Sequence, residues 1–525
     1  MRQIAILLIL TSLLLTTCDV PTPNIEATVK AAIAATQTAL HVEAPATPTL
    51  PSALSLVPTS TTQTPAPTEM PRSVEMSQGT ILFVKETKVV SGTENIESFD
   101  LYSITAGRVN LVASDLYAWF GLSPDGTKIA NHSFGDDAQL QVIALGAHPG
   151  SASITPYRIP DVYNGYYQRH IISVYWSPDS TKLAVQTDCS LYVVTLATGE
   201  FVEIWRECYP QVILEKGIID VAWSPDGTQI AFTVVTPSGF PSSNRQDDLH
   251  GYYPAKLLVA SANGTAHKVL GEHGSYPVWS PDGRQILYTG GWRQDSDGDV
   301  YCNEKLYVIH ADGSGGVQLA ETTGRADDTW TRPSYYDKLG WSSDGERVFF
   351  TQGRPGQGGQ LSVIRPDGTG RVTLGGDRTL AVNYWPQSNR IAWLEVIEPS
   401  SSAVFISNLD GTDKIAWDRG NPLSLLWSCG YKVVWGNGST WFVANLDSSG
   451  RHMLPGDYGN YGISAIYPIF SPDCSQVVIA ERHYMPGGVD QITTIDLTNA
   501  NQTQLARAKS GEKFHVLGWV STANK

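Results

Sequence analysis

The chain has 525 residues, 51 acidic against 36 basic side chains, and a formal net charge of −15. That balance argues against a nucleic-acid binder, because phosphate binding needs a basic face. A charged fraction of only 17%, with 15 Trp and 23 Tyr, argues against disorder for most of the chain. All the aromatic residues lie at or after Phe83, so the sequence has two physical regimes.

Residues 1–17 read MRQIAILLILTSLLLTT. Arg2 gives a positive start, and the apolar run from Ile4 to Leu15 is shorter than the ~20 residues a bilayer span needs. That pattern fits a signal peptide. Leu15-Thr16-Thr17-Cys18 resembles a bacterial lipobox, whose cysteine is diacylated after cleavage in front of it; Thr17 departs from the small residue usual there. The resemblance implies lipidation of Cys18 and a lipid anchor on the extracytoplasmic side of a membrane. The alternative is an ordinary secretory signal with an incidental cysteine. Residues 18–78 are rich in Pro, Thr and Ala and form a flexible tether, since such a chain buries too little surface to offset its ordering entropy. Within it, Asn24 to Leu40 is Ala-rich and suits a marginal helix.

From residue 79 onward one unit repeats. Its signature, WSPDG or a variant, begins at Leu122, Trp176, Trp223, Trp279 and Trp341, with degenerate copies at Trp385, Trp427, Phe470 and Trp519. A strand follows each turn, as in KLAVQTD, QIAFTVV, QILYTGG and RVFFTQG, and then a second strand ends in a turn, as in SLYVVTLATG and KLYVIHADG. Alternating β-branched and aromatic residues make half-buried strands, and Pro-Asp-Gly fixes a tight turn. Four short antiparallel strands per repeat predict an all-β fold, a β-propeller of four-stranded blades. The tryptophans are expected to pack between blades.

These WSPDG repeats resemble the TolB-type β-propeller over 79–525. Counting first strands gives nine blades, with eight as the alternative if one motif copy is misread. The segments GTILFVKET, FDLYSIT and RVNLVA lack a leading strand, and EKFHVLGWVS is a leading strand without followers. Joining the two ends closes the ring and removes free edges. The TolB resemblance implies protein contact in the cell envelope, but TolB's separate N-terminal α/β domain has no counterpart here, which puts a transport role in doubt.

Long insertions leave the face opposite the WSPDG turns. Their aromatics include Tyr166, Tyr167, Tyr253, Trp292, Trp330, Tyr335 and Tyr336, which either bind a sugar or peptide or pack on one another. Asp295, Asp297 and Asp299, with Asn303 or Glu304, form a candidate calcium loop; the alternative is a solvated hairpin tip. Cys189 and Cys208 stand at equal distances from a hairpin turn and are candidates for a disulfide, whereas Cys429 and Cys474 are expected to stay unpaired. No Cys/His spacing suggests zinc. No GxSxG motif is present for a hydrolase domain, and His132-Ser133-Phe134-Gly135-Asp136 lies on a repeat strand. The sequence therefore predicts a membrane-anchored extracytoplasmic lipoprotein that binds a protein or glycan ligand. A propeller hydrolase or lyase acting on an extracellular polymer is the alternative.

Overall fold

The structure, a computed structural model, describes residues 79–521 except 92–93, 134–138, 147, 149, 161–170, 188–189, 207–217, 236–254, 273, 295–299, 322–334, 355–357, 387, 399–400, 421–424, 437–440, 448, 455–467, 482–489 and 510–511. The described residues form 36 β-strands and no helix. Seven sheets have four strands each, and an eighth sheet has eight. The eight-stranded sheet is two blades joined by one pairing, Gly359 with Thr379. Glycine is required at that junction, because a Cβ on Gly358 would lie 2.5 Å from the Thr379 carbonyl oxygen and its φ is +81°. The structure is therefore a nine-bladed β-propeller.

Blades 2 to 9 follow in chain order as 119–157, 171–206, 218–272, 274–321, 335–373, 379–420, 425–454 and 469–507. Blade 1 combines 80–116 with the C-terminal strand Glu512–Val520, which pairs antiparallel with Thr80–Ser91. The two ends of the domain thus share one sheet, as the unmatched sequence segments required.

Each blade runs from an inner strand, next to the channel, to an outer one. The motif turn links the first and second strands. In blades 2 to 6 and blade 9 its serine Oγ donates to the aspartate two residues on, as Ser123 to Asp125 and Ser177 to Asp179, both at 2.6 Å. The same serine Oγ accepts the main-chain N–H that reopens the strand, as from Lys128 and Lys182, both at 2.9 Å. The turn linking the third and fourth strands lies on the same face, since Leu196 N–H donates to Thr181 O and Ala262 N–H to Thr228 O. This is the turn face; the opposite one is the loop face.

The core lies between blades. One apolar cluster joins Ala184, Leu191 and Val193 of blade 3 to Ile218, Ile230 and Phe232 of blade 4. The motif tryptophans seal these seams, as the repeat predicted. Trp176 Nε1 donates to Gly121 O at 2.9 Å, Trp223 to Tyr175 O at 3.1 Å, Trp279 to Ala222 O at 3.1 Å, and Trp341 to Val278 O at 3.0 Å. Each acceptor belongs to the preceding blade, so the indole satisfies an inner-strand carbonyl while its rings fill the seam.

Two expectations are corrected. Cys429 and Cys474 form a disulfide with Cα atoms 5.5 Å apart. Stacking places the motif turns of blades 8 and 9 side by side. Cys474 occupies the motif's glycine position at φ 57°, and the truncated turn of blade 8 brings Cys429 against it. Segments 290–304 and 335–338 are also less loop-like than expected. Strands Gln285–Gln294 and Val300–His310 extend the blade 5 hairpin, so that Trp292 pairs with Cys302, because alternating residues carry the ladder outward.

Candidate functional site

The predicted site residues fall mostly outside the described residues: Cys18, Tyr166, Tyr167, Cys189, Cys208, Tyr253, Asp295, Asp297, Asp299 and Trp330. Trp292 and Glu304 lie on the two strands of the long blade 5 hairpin. Tyr335 and Tyr336 open the inner strand of blade 6, paired with Gly353 and Gln352. Among the described residues no group of three His, Cys, Asp or Glu is placed to hold a metal ion.

A different set of residues emerges on the inner strands. In blades 4, 5 and 6 the strand carries a bulge three residues before its tryptophan. Asp220 and Val221 face Phe232; Tyr276 and Pro277 face Tyr288; Lys338 and Leu339 face Phe350. The first residue of each bulge has positive φ: Asp220 55°, Tyr276 55° and Lys338 47°. Non-glycine residues in this conformation cost roughly 1–2 kcal/mol each, so three together hold on the order of 3 kcal/mol of strain. At the motif turn the same conformation falls to glycine at Gly126, Gly227, Gly283 and Gly345, and to Ser180 and Cys474 in blades 3 and 9. Bulges re-aim side chains and are over-represented near functional sites.

The bulges are tied together. Asp220 Oδ2 accepts the Tyr276 main-chain N–H at 3.2 Å, across the seam between blades 4 and 5. On the other side, half-buried Tyr175 donates its hydroxyl to Gln186 Oε1 at 3.0 Å, and Gln186 Nε2 donates to Ile218 O at 2.6 Å. Burial pushes the Tyr175 phenol up to about 12, and the Asp220 charge adds to that. Beside the second bulge, Ser275 Oγ and Thr289 Oγ1 lie 3.3 Å apart in a buried pair.

Counted back three residues from the first motif residue, this position can be followed around the ring, with the ladder of blades 2 and 3 one residue out of register with the bulged blades. It is Trp119 in blade 2, Ser173 in blade 3, then Asp220, Tyr276 and Lys338, and it turns apolar at Val382 in blade 7 and Val516 in blade 1. In blades 8 and 9 it falls outside the described residues. Trp119 is 44% exposed and stacks on the His132 imidazole, with centroids 6.1 Å apart and planes 12° apart. His132 is buried, which lowers its pKa to about 4 and keeps it neutral. Asn131 fixes the approach to Trp119: its Nδ2 donates to Tyr117 O at 2.9 Å and Trp119 O at 2.8 Å, while its Oδ1 accepts Tyr117 N–H at 3.1 Å. The set on five consecutive blades is Trp119, Ser173, Asp220, Tyr276 and Lys338, with Ser173 buried and a bulge on the last three. Sequence reasoning missed it. The available signal was an aromatic-Thr pair in the second strand of only these three bulged blades: Phe232-Thr233, Tyr288-Thr289 and Phe350-Thr351.

No protein-family model matches the chain, and no curated protein does. Among solved structures it is similar to a crystal structure titled as the eukaryotic initiation factor, with a TM-score of 0.50 and 10% identity over 83% of this chain and 99% of that one. An oligogalacturonate lyase in complex with manganese matches with a TM-score of 0.38 and 11% identity, over 77% and 95% of the two chains. A TolB from Agrobacterium tumefaciens matches with a TM-score of 0.30 and 14% identity, over 65% and 91%. At these identities the likeness is one of fold.

Proposed function

We propose that this is an extracytoplasmic binding protein whose propeller recognises a protein or glycan ligand over the inner strands of blades 2 to 6, with a lipid on Cys18 and the 19–78 spacer holding it to a membrane. The carrying observation is the strained bulge repeated at Asp220, Tyr276 and Lys338. Strain that glycine would relieve persists there on three non-glycine side chains, which fits a role for those side chains in contact with a ligand. The strands bearing the bulges begin at the loop face, at Ile218, Gly274 and Tyr335. The Cys429–Cys474 disulfide supports export, since such bonds persist in oxidising compartments.

A second reading, a hydrolase or lyase, draws support from the Asp220 carboxylate, whose charge acts on the Tyr175 phenol across the seam between blades 3 and 4. One experiment separates the readings. The full-length protein is screened against glycan and peptide arrays, and each hit is incubated and analysed by mass spectrometry. Unaltered ligand with binding lost in Tyr276→Phe/Lys338→Met supports the binding protein. Cleaved ligand supports the enzyme, and binding untouched by the double variant overturns the site.

A further inference from the structure

We propose that the Cys429–Cys474 bond is a redox-operated latch on the seam between blades 8 and 9, opened in the folded protein by a dithiol reductant while the rest of the ring stays closed. The inference is independent of the binding reading above.

This seam differs from those within blades 2 to 6. There a motif indole donates to an inner-strand carbonyl of the preceding blade. Blade 9 carries Phe470 at that position, which has no N–H to donate. Blades 8 and 9 meet through an apolar cluster, with Val434, Val443 and Leu454 against Val477, Ile479 and Ile495, and through the disulfide at the turn face.

The bond stands where a reductant can reach it. Both cysteines are half-buried, on turns whose neighbouring residues Tyr431, Pro472 and Asp473 are exposed, Tyr431 at 71%. Gly430 packs over the Cys474 sulfur without a side chain, and a Cβ there would lie 3.2 Å from it. Each turn has hydrogen bonds of its own. In blade 9, Ser471 Oγ donates to Asp473 Oδ1 and Cys474 N–H donates to Ser471 O; in blade 8, Leu446 N–H donates to Tyr431 O. Breaking the S–S bond therefore removes a tie across the seam and leaves both hairpins formed.

The exchange balances as follows. A thiolate of the reductant attacks the Cys474 sulfur, and Cys429 leaves as a thiolate that takes up a proton. The second thiol of the reductant, once deprotonated, displaces Cys474 from the mixed disulfide in the same way. Two electrons pass to the protein, whose cysteines end as thiols, and the reductant ends as a disulfide. A dithiol is the fitting class, because its second attack is intramolecular and completes the exchange. With a monothiol, Cys429 stays close to the mixed disulfide, at a Cα separation of 5.5 Å, and re-forms the bond.

The test uses the full-length protein without denaturant. Reduction by dithiothreitol is followed by alkylation and peptide mapping of Cys429 and Cys474, with amide hydrogen exchange before and after. The expected rate rises in proportion to dithiothreitol, about tenfold for tenfold more, as attack on the folded state requires. Exchange then quickens at least about tenfold in Lys432–Gly436 and Gln476–Glu481 and stays within about twofold in Lys182–Thr187 and Gln229–Val235. Cys429→Ser/Cys474→Ser shows the same local pattern without reductant, and reductant adds nothing to it in those strands, which separates this bond from the other cysteines. Serine suits position 474, since Ser180 fills the equivalent turn position of blade 3 at φ 58°. Reoxidation with oxidised glutathione restores the protection. A rate that levels off at the speed of global unfolding, or exchange that quickens equally in all four strands, overturns the latch and leaves a purely structural bond.

Discussion

The Asp220 carboxylate accepts the main-chain N–H of Tyr276 at 3.2 Å, so the bulge of one inner strand is held by the side chain of the bulge before it. Asp220→Ala leaves that part-buried N–H without its partner and is expected to cost about 1–2 kcal/mol. Asp220→Asn keeps an acceptor oxygen and costs less. Urea unfolding of the two variants, compared at equal slope, measures the difference.

Strain at the bulges should be visible as a trade between stability and binding. Lys338→Gly removes a Cβ from a residue at φ 47° and is expected to leave stability unchanged or raise it by up to about 1 kcal/mol, while binding falls. Gly345→Ala is the control. Its φ is +72°, and an added Cβ would meet only Pro281 Cδ at 3.9 Å, so the loss of about 1 kcal/mol reports backbone conformation alone. Chemical denaturation of both variants, alongside a binding assay, checks the pair.

The Cys429–Cys474 bond closes a segment with a sequence separation of 45. Constraining that loop in the unfolded chain is expected to stabilise the domain by about 4 kcal/mol on the chain-entropy model. Peptide mapping without reductant should recover the linked pair. The Cys429→Ser/Cys474→Ser double variant should unfold at lower denaturant, and wild type with added reductant should match it.

His132 gives the fold a pH dependence of known sign. Burial lowers its pKa from 6.5 to about 4, so the unfolded chain takes up a proton that the folded one refuses. Its stability contribution is full above about pH 6.5 and is lost as the pH falls towards 4. The whole interval corresponds to about 3 kcal/mol. In His132→Gln the slope of stability against pH should flatten between those values. Denaturant titrations at steps of half a pH unit would reveal it; an equal slope in the variant would exclude His132 as the source.

Much of the architecture was legible along the chain. The turn Ser177-Pro178-Asp179 and its copies carry their own hydrogen bonds, so each fixes a hairpin locally, and counting them gives nine blades. The closing pair was legible too, because three strands at one end lacked the leading strand found at the other. The site was not. A bulge is a mismatch between two strands, and nothing in Asp220, Tyr276 or Lys338 alone announces that two residues face one across the ladder. The Cys429–Cys474 bond is likewise absent from the local pattern, because only the stacking of blades 8 and 9 brings the two turns together.

The sequence by itself determined the repeat, the turn chemistry, the blade count and the way the ring closes, because these depend on interactions within a few residues or on matching ends. Only the tertiary structure decided which side chains meet across blades: the Cys429–Cys474 bond, the indole donors of Trp176, Trp223, Trp279 and Trp341, and the Asp220 carboxylate on the Tyr276 N–H. Those contacts join residues some 40 to 60 positions apart, and ring geometry brings them together.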